Sequence, residues 1–360
     1  MKGSQIGIIG GGIAAAVIIV VLFVSMGTQN DAAPLPIEND IVIPTVEQEN
    51  DIAVQSEDKF LVYTTFYPLY QFTQGVAGDA ADVRILIPTN GDPHSFELGP
   101  KTIVDLTKAD MLVYNGAGFE PYIDEIMSSS DFDHIVFVDS SEGITLMKGE
   151  AHDHSSHGSH SDEKHDDHAK EDGHDEHEEE GDKDHTYDPH IWLDPILAKS
   201  QVMTIADHLK ESDPEHAEIY HDNSISYANQ LDLLDQEIRS DVSSCAKDTF
   251  VPFHNAFSYF AERYDLNTLA VIQEFSPETP VTAKDIEELI HFAEDNDIKY
   301  FFTEENRNPR IAERLATELG GDILKFSPLE SLTAEDDENT TYFDKMRQNV
   351  DNLQIALECN

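Results

Sequence analysis

Residues 214–244 open at Asp213-Pro214 and then run without a glycine or a second proline, setting Ile219, Ala228, Leu231, Leu234, Ile238 and Val242 at helical spacing. This predicts one helix of about thirty residues with a single apolar face. On its N-terminal side the runs FLVYTT, VRILI, MLVY and HIVFV read as strands, separated by helix-like stretches at 100–108 and 118–128. On its C-terminal side the same rhythm returns in TFVPF, TLAVIQ, IKYFFT and DILKF. Between the last two, Ile311, Leu315 and Leu319 recur every four residues before Gly320-Gly321 ends the helix. The expected class is therefore α/β, with two βαβ-type lobes joined by one long rigid helix. Such a spine restricts hinge closure, so a ligand held between the lobes is captured by small motions. The expected boundaries are 58–213 for the first lobe, 214–244 for the linking helix and 245–360 for the second lobe.

Two other stretches are of different material. Residues 6–24 are uncharged and mostly apolar, close to the ~20 residues that span hydrocarbon, and Lys2 is the only cationic side chain ahead of them. We read residues 1–27 as an N-terminal membrane anchor, with a cleaved signal peptide as the alternative. Either way the body is extracytoplasmic. Residues 28–57, rich in Asp, Glu, Asn and Pro, read as a disordered linker. Residues 149–186 have almost no large apolar side chain and read as a disordered His-rich loop inside the first lobe. Its His152, His154, His157, His160, His165, His168, His174, His177 and His185, set among carboxylates, are expected to be weak, accessory metal ligands. The bland alternative is a solubilising acidic insert.

With 72 acidic against 22 basic residues, the formal net charge is -50, which repels nucleic acid and attracts cations. The two cysteines, Cys245 and Cys359, are too far apart in sequence for a thiolate metal motif. They end the spine helix and the C-terminal helix, and an oxidising compartment permits a disulfide between them.

Outside the loop, three histidines follow strand ends or proline-fixed turns: His94 in GDPHSF, His190 in YDPHIW and His254 in VPFHNAF. In the two Asp-Pro-His turns, proline fixes φ and holds the residue before it extended, so backbone places the imidazole. By contrast, His134, His208, His216, His221 and His291 sit in polar or helical contexts and are assigned to the surface. Asp188 or Asp194 is a candidate to orient an imidazole through its second nitrogen. Trp192 is expected to pack beneath the site, and Glu304 and Glu305 to make loop hydrogen bonds and lobe contacts.

The stretches TTFYPLYQFTQGVAGD, GDPHSFELGPK, DPHIWLDP, FHNAFSYFAERYDL, FTEENRNP and SPLESLTAED resemble, in order, the zinc-binding solute-binding proteins of ABC importers. These form the cluster A-I group, which includes the bacterial high-affinity zinc receptors. The likeness covers about residues 60–358 and includes a His-rich insertion at the family's usual place. It implies Zn2+ bound between the lobes by His94, His190 and His254, with Glu330 of SPLESL as the fourth ligand. It also implies a monomer that is not an enzyme and delivers zinc to an importer permease with its ATPase. Manganese-binding relatives tend to carry a carboxylate where His254 stands, so the third imidazole favours zinc over manganese or another divalent ion. Many relatives are anchored through a lipidated cysteine, which this N-terminus lacks.

An exported zinc hydrolase would keep an open metal position beside a general base, and neither HExxH nor GxSxG occurs. A surface zinc-chelating or adhesion protein without a transport role remains the other alternative.

Overall fold

The computed structural model describes residues 59–88, 91–149, 187–305, 307–333, 336–337 and 339–359. The expectations for residues 1–57 and for the nine histidines of the loop lie outside the described residues. Among the described residues, no helix is long and apolar enough to cross a membrane.

The first lobe is built on a parallel sheet of β1 (Phe60–Thr64), β2 (Ala81–Ile85), β3 (Met111–Tyr114) and β4 (Val136–Asp139), in the order β2-β1-β3-β4. Val62 pairs with Val83 on one side and Met111 on the other, as expected of central strands that are apolar on both faces. Helices α1 (Tyr67–Ala77), α2 (Pro100–Leu106) and α3 (Ile123–Met127) make the crossovers, and α4 (Pro195–Ser212) follows β4. Asp194 caps α4 by accepting from the amides of Ile196 at 2.8 Å and Leu197 at 3.3 Å.

The second lobe repeats the scheme with shorter strands. Its elements are β5 (Thr249–Phe250), α6 (Ser258–Arg263), β6 (Asn267–Thr268), α7 (Ala283–Asp295), β7 (Tyr300–Thr303), α8 (Arg310–Leu319), β8 (Asp322–Lys325) and α9 (Tyr342–Ala356). β5 pairs with β6 and β7 with β8, and Val251 bridges Phe301, giving the order β6-β5-β7-β8. The runs at 249–253 and 268–273 were expected as full strands. They shrink because Pro252 has no amide to donate, and beyond it the pairing is reduced to a bridge between His254 and Ile272 and the bonds from the amides of Val271 and Ile272 to the carbonyls of Pro252 and Phe253. Gly320, at φ +69°, ends α8 in the left-handed region that its missing Cβ permits.

The spine is α5 (Ala217–Val242), 26 residues long and shorter than the expected 214–244. Pro214–His216 instead form a 3-10 turn, because Asp213 accepts from both His216 Nδ1 at 2.7 Å and Tyr220 Oη at 2.5 Å and folds the chain back onto α4. Ile219 is exposed rather than on the apolar face, while Ala228, Leu231, Leu234 and Ile238 are buried. α5 packs against α1, α4 and α9. Its far end is stapled, since Cys245 and Cys359 form a disulfide. One hydrophobic cluster runs through both lobes, from Val62 and Trp192 through Leu231 to Phe250, Phe326 and Tyr342.

Candidate metal centre

Each of the four residues sits in a loop that follows a strand or precedes a helix. His94 follows β2 and His190 precedes α4; His254 follows β5 and Glu330 follows β8. The two Asp-Pro-His turns are built alike. Asp92 Oδ1 accepts from the amide of His94 at 3.0 Å, and Asp188 Oδ1 from that of His190 at 3.0 Å. The aspartate thus folds the turn back on itself while proline fixes its φ, leaving the imidazole pointing outward. Asn115 donates to the carbonyl of Pro189 at 2.8 Å, and Gln201 holds the Asn115 side chain at 3.1 Å, so the His190 turn is pinned to buried structure.

The four side chains meet: the ligand atoms of His94, His190, His254 and Glu330 all lie within 4.8 Å of one another. Glu330 Oε1 is 2.9 Å from His94 Nε2, 3.7 Å from His254 Nε2 and 3.8 Å from His190 Nε2. The Nε2 atoms of His190 and His254 are 3.3 Å apart. A tetrahedral ion with N and O ligands at about 2.0–2.1 Å needs ligand pairs about 3.3 Å apart, and these separations bracket that value. The donor set and its spacing therefore fit a four-coordinate zinc ion.

Two of the imidazoles are oriented from behind. Asp188 Oδ1 accepts from His190 Nδ1 at 2.8 Å, which settles the choice between Asp188 and Asp194. Glu304 Oε1 does the same for His254 Nδ1 in a short contact. In both cases the proton is fixed on Nδ1 and the Nε2 lone pair faces the cluster. Glu304 was expected only to make loop contacts, and its part in the site was missed. The available signal was that it directly follows β7, the neighbour of the strand that delivers His254. Glu305 turns the other way, accepting from the buried Lys345 of α9 at 2.6 Å.

Glu330 is presented at a cost. Leu329, just before it, is buried and has φ +58°, a conformation worth about 1–2 kcal/mol of strain for a branched residue. Surrounding bonds hold it there: the Leu329 amide donates to Ser327 Oγ at 3.1 Å, and Trp192 Nε1 donates to the carbonyl of Pro328 at 2.7 Å. Trp192, fully buried, also packs its ring against that of His190 with centroids 5.1 Å apart. It lies beneath the cluster and links the two lobes.

The electrostatics suit a cation. Burial pushes the Glu330 carboxyl up, but the three imidazoles outweigh it and hold the group at about 2. Burial lowers the proton affinity of His190 below the ordinary imidazole value. At His254 burial works the same way, yet Glu304 and Glu330 outweigh it and raise the group. His134, His208, His216, His221 and His291 stand apart from the cluster, exposed or half-exposed.

A family model described as zinc-uptake complex component A, periplasmic, matches residues 62–356. The chain belongs to this family. It is 35% identical over 301 residues to the high-affinity zinc uptake system protein ZnuA of Bacillus subtilis, covering 83% of this chain and 88% of that protein. Zinc-binding protein AdcA of Streptococcus pyogenes is 34% identical over 314 residues, covering 85% of this chain. The chain spans only 57% of AdcA, little more than half its length. Among solved structures, the Zn(II)-bound ZnuA-like domain of Streptococcus pneumoniae AdcA superposes with a TM-score of 0.66 at 28% identity, covering 83% of this chain and 99% of that domain. The two-lobe α/β plan with a long helix is thus the family's plan.

Proposed function

We propose that this chain is an extracytoplasmic receptor that binds Zn2+ between its lobes through His94, His190, His254 and Glu330 and delivers it to the permease of an ABC-type importer. The observation that carries the reading is the convergence of three imidazole nitrogens and one carboxylate oxygen, from four loops in two lobes, within 4.8 Å. Zinc has no ligand-field preference and accepts this N3O set without strain. Four protein ligands leave no coordination position for an activated water, which suits carriage rather than hydrolysis. The relatives' names, which specify zinc uptake and zinc binding, support the choice of ion. In this reading the body acts as a monomer tethered through residues 6–24, and the His-rich loop raises the local zinc concentration.

The test is elemental analysis of the protein lacking residues 1–57 and 152–185, purified without an affinity tag. One equivalent of tightly held zinc is expected, absent when His190 and His254 are both replaced by Ala. Preferential retention of manganese, or no retained metal, overturns the assignment. Growth of cells lacking the gene in zinc-depleted medium separates import from adhesion, since only an import defect is relieved by added zinc.

A further inference from the structure

His190 and His254 are each steadied by a carboxylate on Nδ1, whereas His94 Nδ1 has no carboxylate partner among the described residues. What holds His94 is its turn, and the turn depends on Asp92: Oδ1 accepts from the His94 amide and Oδ2 from Ser95 Oγ at 3.1 Å. Asp92 is itself held from the other lobe. The guanidinium of Arg307 reaches Asp92 Oδ2 at 3.1 Å and also bonds Glu278 of its own lobe. Arg307 is only 16% exposed, and it shares with Asp92, Glu304 and Glu330 the lining of a cavity of about 70 Å³.

The same second-lobe loop therefore serves ligands from both lobes, His254 through Glu304 and His94 through Arg307 and Asp92. Lys345 fixes that loop to α9 through Glu305, and also pairs with Asp336, beyond Glu330, at 3.1 Å. Of the four proposed ligands, only His94 lines the larger cavity of about 420 Å³ formed with Phe119, Tyr187 and Phe275.

We propose that Arg307 is a positioning residue that holds His94 on the ion from across the cleft, through Asp92, and thereby sets the rate of ion release. This rests on the zinc-receptor reading above. Arg307 does not touch the ion. Its ion pair with Asp92 is partly exposed, so its loss is expected to change rates modestly, roughly two- to fivefold.

The experiment is stopped-flow release of zinc from the full-length, zinc-loaded protein into excess chelator, following the slow phase. Arg307→Gln and Asp92→Asn should each speed that phase roughly two- to fivefold, and the double variant no more than either alone. Asparagine keeps an oxygen for the His94 amide, so Asp92→Asn carries the test if Arg307→Gln does not fold. Arg307→Lys should restore part of the loss. In a His94→Ala background, Arg307→Gln should change nothing further. An unchanged release rate in both single variants overturns the proposal, and so does acceleration that persists without His94, which would mean a general loosening of the lobes. An unmutated protein with no slow phase would remove the receptor reading and with it the role given to Arg307.

Discussion

Replacing Glu304 by Gln isolates the charge behind His254 while keeping an oxygen that can accept from Nδ1. The side chain is 2% exposed, and its Oε1 also accepts from the His254 amide at 3.3 Å. Loss of a carboxylate behind a metal-bound imidazole typically lowers affinity about 10- to 100-fold, or about 1.4 to 2.8 kcal/mol. The loss should depend on pH. In the zinc-free protein Glu304 raises the proton affinity of His254, so protons compete with zinc there at higher pH than they would without that carboxylate. The Gln variant binds that proton less well. Its deficit in apparent affinity is therefore largest well above the His254 pKa and narrows as pH falls. The zinc-free protein should show the matching stability effect. A raised pKa stabilises the fold fully below the unfolded value and progressively less as pH rises through the folded one, so Glu304→Gln destabilises most in acid. Chelator-competition titrations of the loop-deleted protein across pH, paired with denaturant melts, measure both. Unchanged affinity in the variant, or a deficit that widens in acid, would refute the role given to Glu304.

Glu330→Ala should weaken zinc binding without abolishing it, leaving three imidazoles and a water, whereas His190→Ala should weaken it more; chelator competition ranks the two. Protein lacking residues 152–185 should lose the weak zinc sites and keep one tight site in a titration, because the ordered histidines need no further entropy loss to bind. Unfolded, unreduced protein should show no reactive thiol, and Cys359→Ser should lower unfolding free energy by about 2–5 kcal/mol, since the disulfide closes a separation of 114 residues. As pH falls through the raised His254 pKa, zinc affinity measured by chelator competition should fall first through protonation of that ring, with Glu330 staying ionised down to about 2.

Much of this architecture is legible in sequence for a local reason. The apolar runs that became β1 to β4 and the Asp-Pro-His turns encode backbone shape within a few residues, and the structure places His94 and His190 on those turns. What stayed hidden depends on residues distant in the chain. Glu304 meets His254 across 50 positions, Trp192 meets Pro328 across 136, and Glu330 meets His94 across 236. Glu330 has no turn motif of its own and was indicated only by family resemblance; its orientation comes from the strained Leu329. The second lobe's strands were overestimated because the apolar run TFVPF was read through Pro252, whose missing amide is the visible sign of the broken pairing. Asp194 shows the converse: as plausible a partner for His190 as Asp188 in sequence, it caps α4 and pairs with Arg263 at 2.7 Å.

A closed site of three imidazoles and one carboxylate is tested by zinc-edge X-ray absorption on loop-deleted protein carrying one equivalent of zinc. Four neighbours at about 2.0–2.1 Å are expected, with the outer-shell scattering of three imidazoles and a single oxygen. Replacing Glu330 by Ala should leave the three imidazoles and alter only the oxygen contribution. A native spectrum with two imidazoles or a thiolate, or a Glu330→Ala protein identical to native in both spectrum and affinity, would contradict it.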